Sequence, residues 1–194
     1  VVEICERMHA IPGVEELVLT TNGVLLKQYA DKLKQAGVSR LNISLDTLRE
    51  DRYRAITRQG DLKTVLEGIQ GAKAAGLLPI KLNAVLLKGI NEDEIPDFVE
   101  LTRTEPMEVR FIELMPIGAG IGKKEQYLSG EAVLQAVPEL IPDTDQGVAR
   151  LYRLPDGQGR VGLIRPVSRH FCPACNRIRL TSDGHLKPCL HTSR

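Results

Sequence analysis

Four short apolar runs, at residues 17–20, 41–45, 80–86 and 109–114, recur along the first part of this chain and are separated by helical patterns. That alternation limits the fold more than any other feature. Residues 25–36 put Leu25, Leu26, Tyr29, Ala30, Leu33 and Ala36 at helical spacing and stop at Gly37, a residue that readily adopts the left-handed turn ending a helix. Residues 62–75 repeat the scheme with Leu62, Val65, Leu66, Ile69 and Ala72, and Gly76 follows. A third helix is predicted near 93–102, with Pro96 in its first turn, where the missing N–H is tolerated. Strands joined by crossovers of this length run parallel, because antiparallel neighbours need only short turns. The class is α/β. After Met115 the rhythm breaks into Gly118-Ala119-Gly120-Ile121-Gly122, a short helix near 131–137, a Pro/Asp/Gly-rich stretch to Gly159, and then short strands. Among these, residues 178–181 and 185–187 flank Ser182-Asp183-Gly184, whose Asp-Gly pair signals a hairpin.

With 194 residues and 42% hydrophobic side chains the chain buries a sizeable core. Its 26 basic and 25 acidic residues nearly cancel, so bulk charge gives no reason to expect nucleic acid or an acidic membrane. No apolar run approaches the roughly 20 residues of a membrane helix, and the expectation is a soluble protein. Val1-Val2-Glu3-Ile4-Cys5-Glu6-Arg7-Met8 reads as a helix interior without a signal peptide's pattern. Lacking an initiator methionine and a cap, it predicts a natural chain that begins further upstream.

Ligands of parallel α/β sheets bind beyond the carboxyl ends of the strands, which singles out the polar residues there. These are Thr20, Thr21 and Asn22; Asn42, Ser44 and Asp46; Lys81 and Asn83; and Glu113 with Met115. Asn42 and Ser44 share one strand face, as do Lys81 and Asn83, so two strands offer polar pairs to a barrel interior. Ordinary strand-to-loop chemistry is the competing reading, with residues 20–23 as cap and turn and Lys81 as a surface lysine.

Three of the four cysteines, Cys172, Cys175 and Cys189, form C-x2-C-x13-C around the hairpin. A disulfide would leave one thiol over, so a metal site is favoured. Zinc completed by His170, His185 or His191 competes with a 4Fe-4S cluster that leaves one iron open to a non-protein ligand. Arg177 and Arg179, two apart directly after Cys175, suit bidentate phosphate contacts and favour a substrate-facing cluster; solvated strand charges are the alternative. Lys187 reads as a hairpin surface charge. Cys5, alone in an apolar helix pattern, reads as a small buried hydrophobe.

Thr20-Thr21-Asn22-Gly23, Leu41-Asn42-Ile43-Ser44-Leu45-Asp46, Arg110-Phe111-Ile112-Glu113-Leu114-Met115 and the run Phe171-Cys172-Pro173-Ala174-Cys175-Asn176-Arg177-Ile178-Arg179-Leu180 closely resemble GTP 3′,8-cyclases. These are radical S-adenosylmethionine lyases of molybdenum cofactor biosynthesis. The resemblance runs from Val1 to the end and implies an incomplete parallel β/α, partial TIM-like barrel over residues 1–116, its first strands missing. Residues 117–194 would be a C-terminal extension with the second 4Fe-4S cluster and the GTP site. It implies conversion of GTP to (8S)-3′,8-cyclo-7,8-dihydroguanosine 5′-triphosphate. By the same resemblance Cys172, Cys175 and Cys189 are cluster ligands; Thr20, Lys81, Arg110, Arg177, Ile178 and Arg179 contact GTP; and Ser44 and Met115 contact S-adenosylmethionine. The implied partners are an electron donor and a downstream cyclic pyranopterin monophosphate synthase, in a cytoplasmic protein with room for a homodimer and no membrane or nucleic-acid role.

The family also uses an N-terminal C-x3-C-x2-C segment that binds the first cluster and generates a 5′-deoxyadenosyl radical, a Gly-Gly-Glu-Pro motif, and a C-terminal double glycine. None stands in these 194 residues, so the expectation is an N- and C-terminally truncated enzyme, inactive alone. A zinc-ribbon interaction or nucleic-acid module is the alternative, opposed by the neutral charge and the scarcity of aromatic residues for base stacking.

Overall fold

The computed structural model describes residues 1–145, 147–172 and 175–190. A seven-stranded sheet forms its centre, built from β1 (Val18–Thr21), β2 (Arg40–Ser44), β3 (Ile80–Leu86), β4 (Glu108–Glu113), β5 (Ile141–Pro142), β6 (Arg150–Arg153) and β7 (Arg160–Ile164). The order is β1-β2-β3-β4-β7-β6-β5. β1 to β4 and β7 run parallel, while β6 lies antiparallel between β7 and β5. The helices are α1 (Val2–His9), α2 (Leu26–Gln35), α3 (Glu50–Thr57), α4 (Leu62–Ala74), α5 (Ile95–Thr104) and α6 (Glu131–Ala136). β8 (Arg179–Leu180) and β9 (Leu186–Lys187) make a separate antiparallel hairpin.

This is an α/β fold with a mostly parallel sheet, the arrangement of a partial barrel. Each of the first four strands lies within one residue of its predicted position. Both predicted glycine stops are met: Gly37 and Gly76 take φ +86° and +72°, and the next residue turns back to bond the helix through Val38 N–H to Leu33 O and Leu77 N–H to Ala72 O, each at 3.0 Å. The third predicted helix begins as a 3₁₀ turn over Glu92–Glu94 and continues as α5 with Pro96 at its start.

The sheet has two unlike faces. Leu41, Ile43, Ile80, Leu82, Ala84, Val109, Phe111, Val161 and Leu163 alternate along their strands and are all but inaccessible in the core. Phe98 of α5 meets Phe111 edge-on, ring centres 6.0 Å apart, a geometry favoured by the ring quadrupole. α2 and α4 approach closely because Gly68 has no side chain: a Cβ there would come 2.5 Å from Gly23 O. The opposite face carries the polar residues.

Two features differ from the sequence expectation. α3 was not anticipated, since Tyr53 is its one buried side chain and the apolar spacing that marks the other helices is lacking. β7, expected only as one of several short strands, extends the main sheet beside β4. Among the described residues no helix is long and apolar enough to cross a membrane.

Candidate functional site

Parallel registry aligns Thr20, Asn42, Lys81 and Glu108 in one row across β1 to β4, and Ser44, Asn83 and Arg110 in the next. The polar pairs read from β2 and β3 are therefore neighbours on one face. Lys81 is 3% exposed, which removes its reading as a surface lysine. Its Nζ lies 3.1 Å from Glu108 Oε2, and Glu108 Oε1 accepts a hydrogen bond from Arg110 Nε. Burial, and then the neighbouring Arg110, lower the pKa of Lys81, while Glu108 acts in the opposite direction. Arg40 adds a further cation to this face; it is held by Glu16 at 2.7 and 2.9 Å and donates to Asn42 Oδ1 at 3.4 Å. The guanidinium of Arg40 correspondingly lowers the pKa of Glu16. Asn83 Oδ1, buried in the second of these rows, has no hydrogen-bond partner among the described residues. A buried acceptor left open beside paired cations is suited to a polar ligand.

The strand ends divide by role. Thr21 Oγ1 and Asn22 Oδ1 accept from the N–H groups of Gly23 and Val24, so these two serve the turn into α2, while Thr20 and Ser44 are exposed. Asp46 Oδ1 accepts Val85 N–H at 2.8 Å; burial raises its pKa and that hydrogen bond opposes the rise. Asn91 donates to the carbonyls of Asp46 and Val85 and accepts from Leu87 N–H. Glu94, fully buried, accepts from Thr47 Oγ1, Leu48 N–H and Arg52. These contacts clamp the loop after Ser44 to the loop after β3. Glu113, grouped by sequence with the ligand-facing residues, instead shares the helix-covered face with Val109 and Phe111. Met115 lies half-buried two residues on, and its carbonyl accepts Ile117 N–H at 2.8 Å.

Cys172, Cys175 and Cys189 are exposed, and Cys175 N–H donates to Cys172 O at 3.2 Å. Pro173, Ala174 and His191 lie outside the described residues. Cys5 is buried in α1, as expected of a small hydrophobe. The Asp-Gly signal gives the hairpin: Thr181 N–H donates to His185 O at 2.9 Å, and Gly184 takes φ +85°. Asp183 engages His185 at 3.3 Å and accepts from Thr181 Oγ1; Thr181 first and His185 next lower its pKa. β8 begins only at Arg179, so Arg177 and Ile178 precede the strand and are exposed, while Arg179 is half-buried opposite Lys187. Among the described residues no three His, Cys, Asp or Glu side chains form a ready metal-ligand group.

Glu108, Asn91 and Glu94 were missed by sequence reasoning. Glu108 had a signal, since it stands two residues before Arg110 on the same strand face and is flanked by apolar positions. Asn91 and Glu94 had none, because their partners at Asp46 and Thr47 lie far off along the chain.

Residues 1–102 match the family model described as Radical SAM superfamily, and residues 107–194 match Molybdenum Cofactor Synthesis C. A GTP 3',8-cyclase of Alkaliphilus metalliredigens is 54% identical over all of this chain and 61% of its own length. Proteins of the same name from Moorella thermoacetica and Listeria monocytogenes are 51% and 47% identical, each over 98% of the chain and 61% and 60% of their own lengths. The chain thus spans about three fifths of the curated relatives it matches, and none of these comparisons supports a zinc ribbon. The α/β sheet with its polar strand ends and a family match over more than half the residues lead to one assignment: this chain belongs to the radical SAM superfamily.

Proposed function

We propose that this chain forms the substrate-side part of a GTP 3′,8-cyclase of molybdenum cofactor biosynthesis. The observation that carries the reading is the buried pair Lys81 and Arg110 around one carboxylate at the ligand-binding side of a parallel sheet. On this face the cations Lys81, Arg110 and Arg40 meet the carboxylates Glu108 and Glu16, a predominantly positive setting suited to a polyphosphate, and in a desolvated setting that charge acts strongly. Lys81 and Arg110, with Thr20 on the same face, contact the nucleotide. Arg177, Ile178 and Arg179 contact it from the segment after Cys175, where the exposed guanidinium of Arg177 remains available to phosphate.

Ser44 and Met115 orient S-adenosylmethionine at the ends of β2 and β4, and Asn83, between Ser44 and Arg110, offers its open acceptor at the boundary of the two ligands. Cys172, Cys175 and Cys189 hold a 4Fe-4S cluster. The donor set fits that group: three accessible soft thiols, two of them joined by the Cys175 N–H to Cys172 O hydrogen bond. When bound, this cluster would offer an iron open to a non-protein ligand at the nucleotide, while the radical that joins ribose C3′ to guanine C8 would come from S-adenosylmethionine at the family's other, C-x3-C-x2-C cluster. The residues of this chain bind, orient and neutralise. Residues 1–116 would contribute the barrel strands and 117–194 the cluster-bearing extension. An electron donor, a downstream synthase consuming the cyclised nucleotide, a cytoplasmic setting and a homodimer accord with this reading.

Calorimetric titration of GTP into the anaerobically reconstituted chain tests the proposal. Binding that is abolished by Lys81→Ala and Arg110→Ala together supports it; GTP affinity unchanged in that double variant sinks it.

A further inference from the structure

Glu113 belongs to β4 but not to its polar face, and is 1% exposed. Its carboxylate accepts from Gly130 N–H at 3.0 Å, Val167 N–H at 3.0 Å, Ser168 N–H at 2.8 Å and the Ser168 hydroxyl. These four donors are uncharged and belong to two segments far apart in the chain: the connection after β4, and the exit from β7. A buried carboxylate is costly unless every lone pair is met, and here the donors are spread over both oxygens. A second tie joins the same segments. Arg165, 4% exposed, pairs with Glu131, and Gly130 leaves no room for a side chain, since a Cβ would stand 2.9 Å from Cγ and Cδ of Arg165.

The knot lies between two parts of the proposed site. Met115 follows Glu113 by two residues. Cys172 follows Ser168 by four, so an extended chain carries it no more than about 14 Å from the point where Glu113 holds the backbone. Cys172, and Cys175 bonded to it, are therefore tethered to the end of β4 through this carboxylate.

We infer that Glu113 is a positioning residue that registers the cysteine segment against the end of β4, and so sets where Cys172, Cys175 and Arg177 stand relative to Met115 and Arg110. The inference rests on the function proposed above. Without Glu113 the segment keeps its sequence, its thiols and the Arg165–Glu131 tie but loses the bonds that fix Val167 and Ser168.

The test compares the chain with Glu113→Gln, which keeps the shape but turns an acceptor into an amide donor facing other donors. Both are reconstituted anaerobically with iron and sulfide. Hydrogen exchange at Val167 and Ser168, thermal melting, paramagnetic resonance of the reduced cluster with and without GTP, and GTP affinity are then measured. Exchange at both amides should speed up and GTP should bind about tenfold or more weakly at temperatures where the variant remains folded. The spectral response of the cluster to GTP should also be lost. A lower melting temperature with an unchanged spectral response and GTP affinity would show a purely structural role and overturn the inference. Should the Gln variant fail to fold, Ser168→Ala, which keeps three of the four bonds, must show the same changes to a smaller degree; no change there also overturns it. If the unsubstituted chain takes up no cluster and binds no GTP, the proposed function fails and the inference with it, a result distinct from the others.

Discussion

Glu108→Gln removes the one negative charge between Lys81 and Arg110 while preserving volume. The three side chains are 4%, 7% and 12% exposed, so water cannot replace the lost carboxylate. Breaking a buried ion pair from one side costs about 3–5 kcal/mol, because the remaining charge stays desolvated. The amide oxygen still accepts one hydrogen bond, which puts the expected loss near the lower end, about 3 kcal/mol. For a chain of this length that lowers the melting temperature by roughly 6–12 °C. Deprotonation of Lys81 offers partial relief, since its pKa is already lowered by burial and by Arg110. A cation whose folded pKa lies below its unfolded value binds fewer protons when folded, so the deficit should shrink as pH rises through the folded pKa. A triphosphate supplies the missing negative charge. Thermal melting with and without GTP should therefore show a larger nucleotide-induced gain in the variant than in the parent. Equal gains, or a variant that melts with the parent, would refute the idea that Glu108 balances the cations of a phosphate site.

Arg177→Ala and Arg179→Ala should each weaken GTP binding on the order of 10- to 100-fold with cluster iron unchanged, as expected for loss of charge-assisted hydrogen bonds and as read by calorimetry. Asp46→Asn keeps the acceptor for Val85 N–H and removes a carboxylate whose pKa burial has raised. That ionised group disfavours the folded state above its folded pKa, so the variant should melt a few degrees higher at neutral pH and lose the advantage as pH falls through that value; a constant difference across pH would count against it. Gly68→Ala gains roughly 1 kcal/mol of helix propensity, yet its Cβ meets Gly23 O at 2.5 Å and Leu26 Cβ at 3.1 Å. Overpacking should dominate, with a net loss of about 1–3 kcal/mol in denaturant melts.

Local pattern made much of the architecture legible. Residues 80–86 read as a strand from their apolar run, and Gly37 and Gly76 marked helix ends that depend on backbone conformation alone. Lys81 and Asn83 could be assigned to one face by counting in twos. The same count from Arg110 would have separated Glu113 from the polar face. What stayed hidden depends on contacts between distant segments: β7 beside β4, Asn91 tying two loops together, and Glu113 holding Ser168. The hairpin was visible through Asp183-Gly184, but the late start of β8 was not, since Ile178 fits a strand by type and is 66% exposed without a partner.

The central claim, that this chain carries the cluster-bearing, nucleotide-binding side of a GTP 3′,8-cyclase, is tested most directly by metal and spectral analysis. After anaerobic reconstitution of the chain, iron, sulfide and zinc are quantified and the reduced protein is examined by paramagnetic resonance as GTP is added. The account predicts about four iron and four sulfide per chain, negligible zinc, and a spectrum that changes with GTP. Stoichiometric zinc without iron–sulfur absorption, or a cluster spectrum indifferent to GTP, would contradict it.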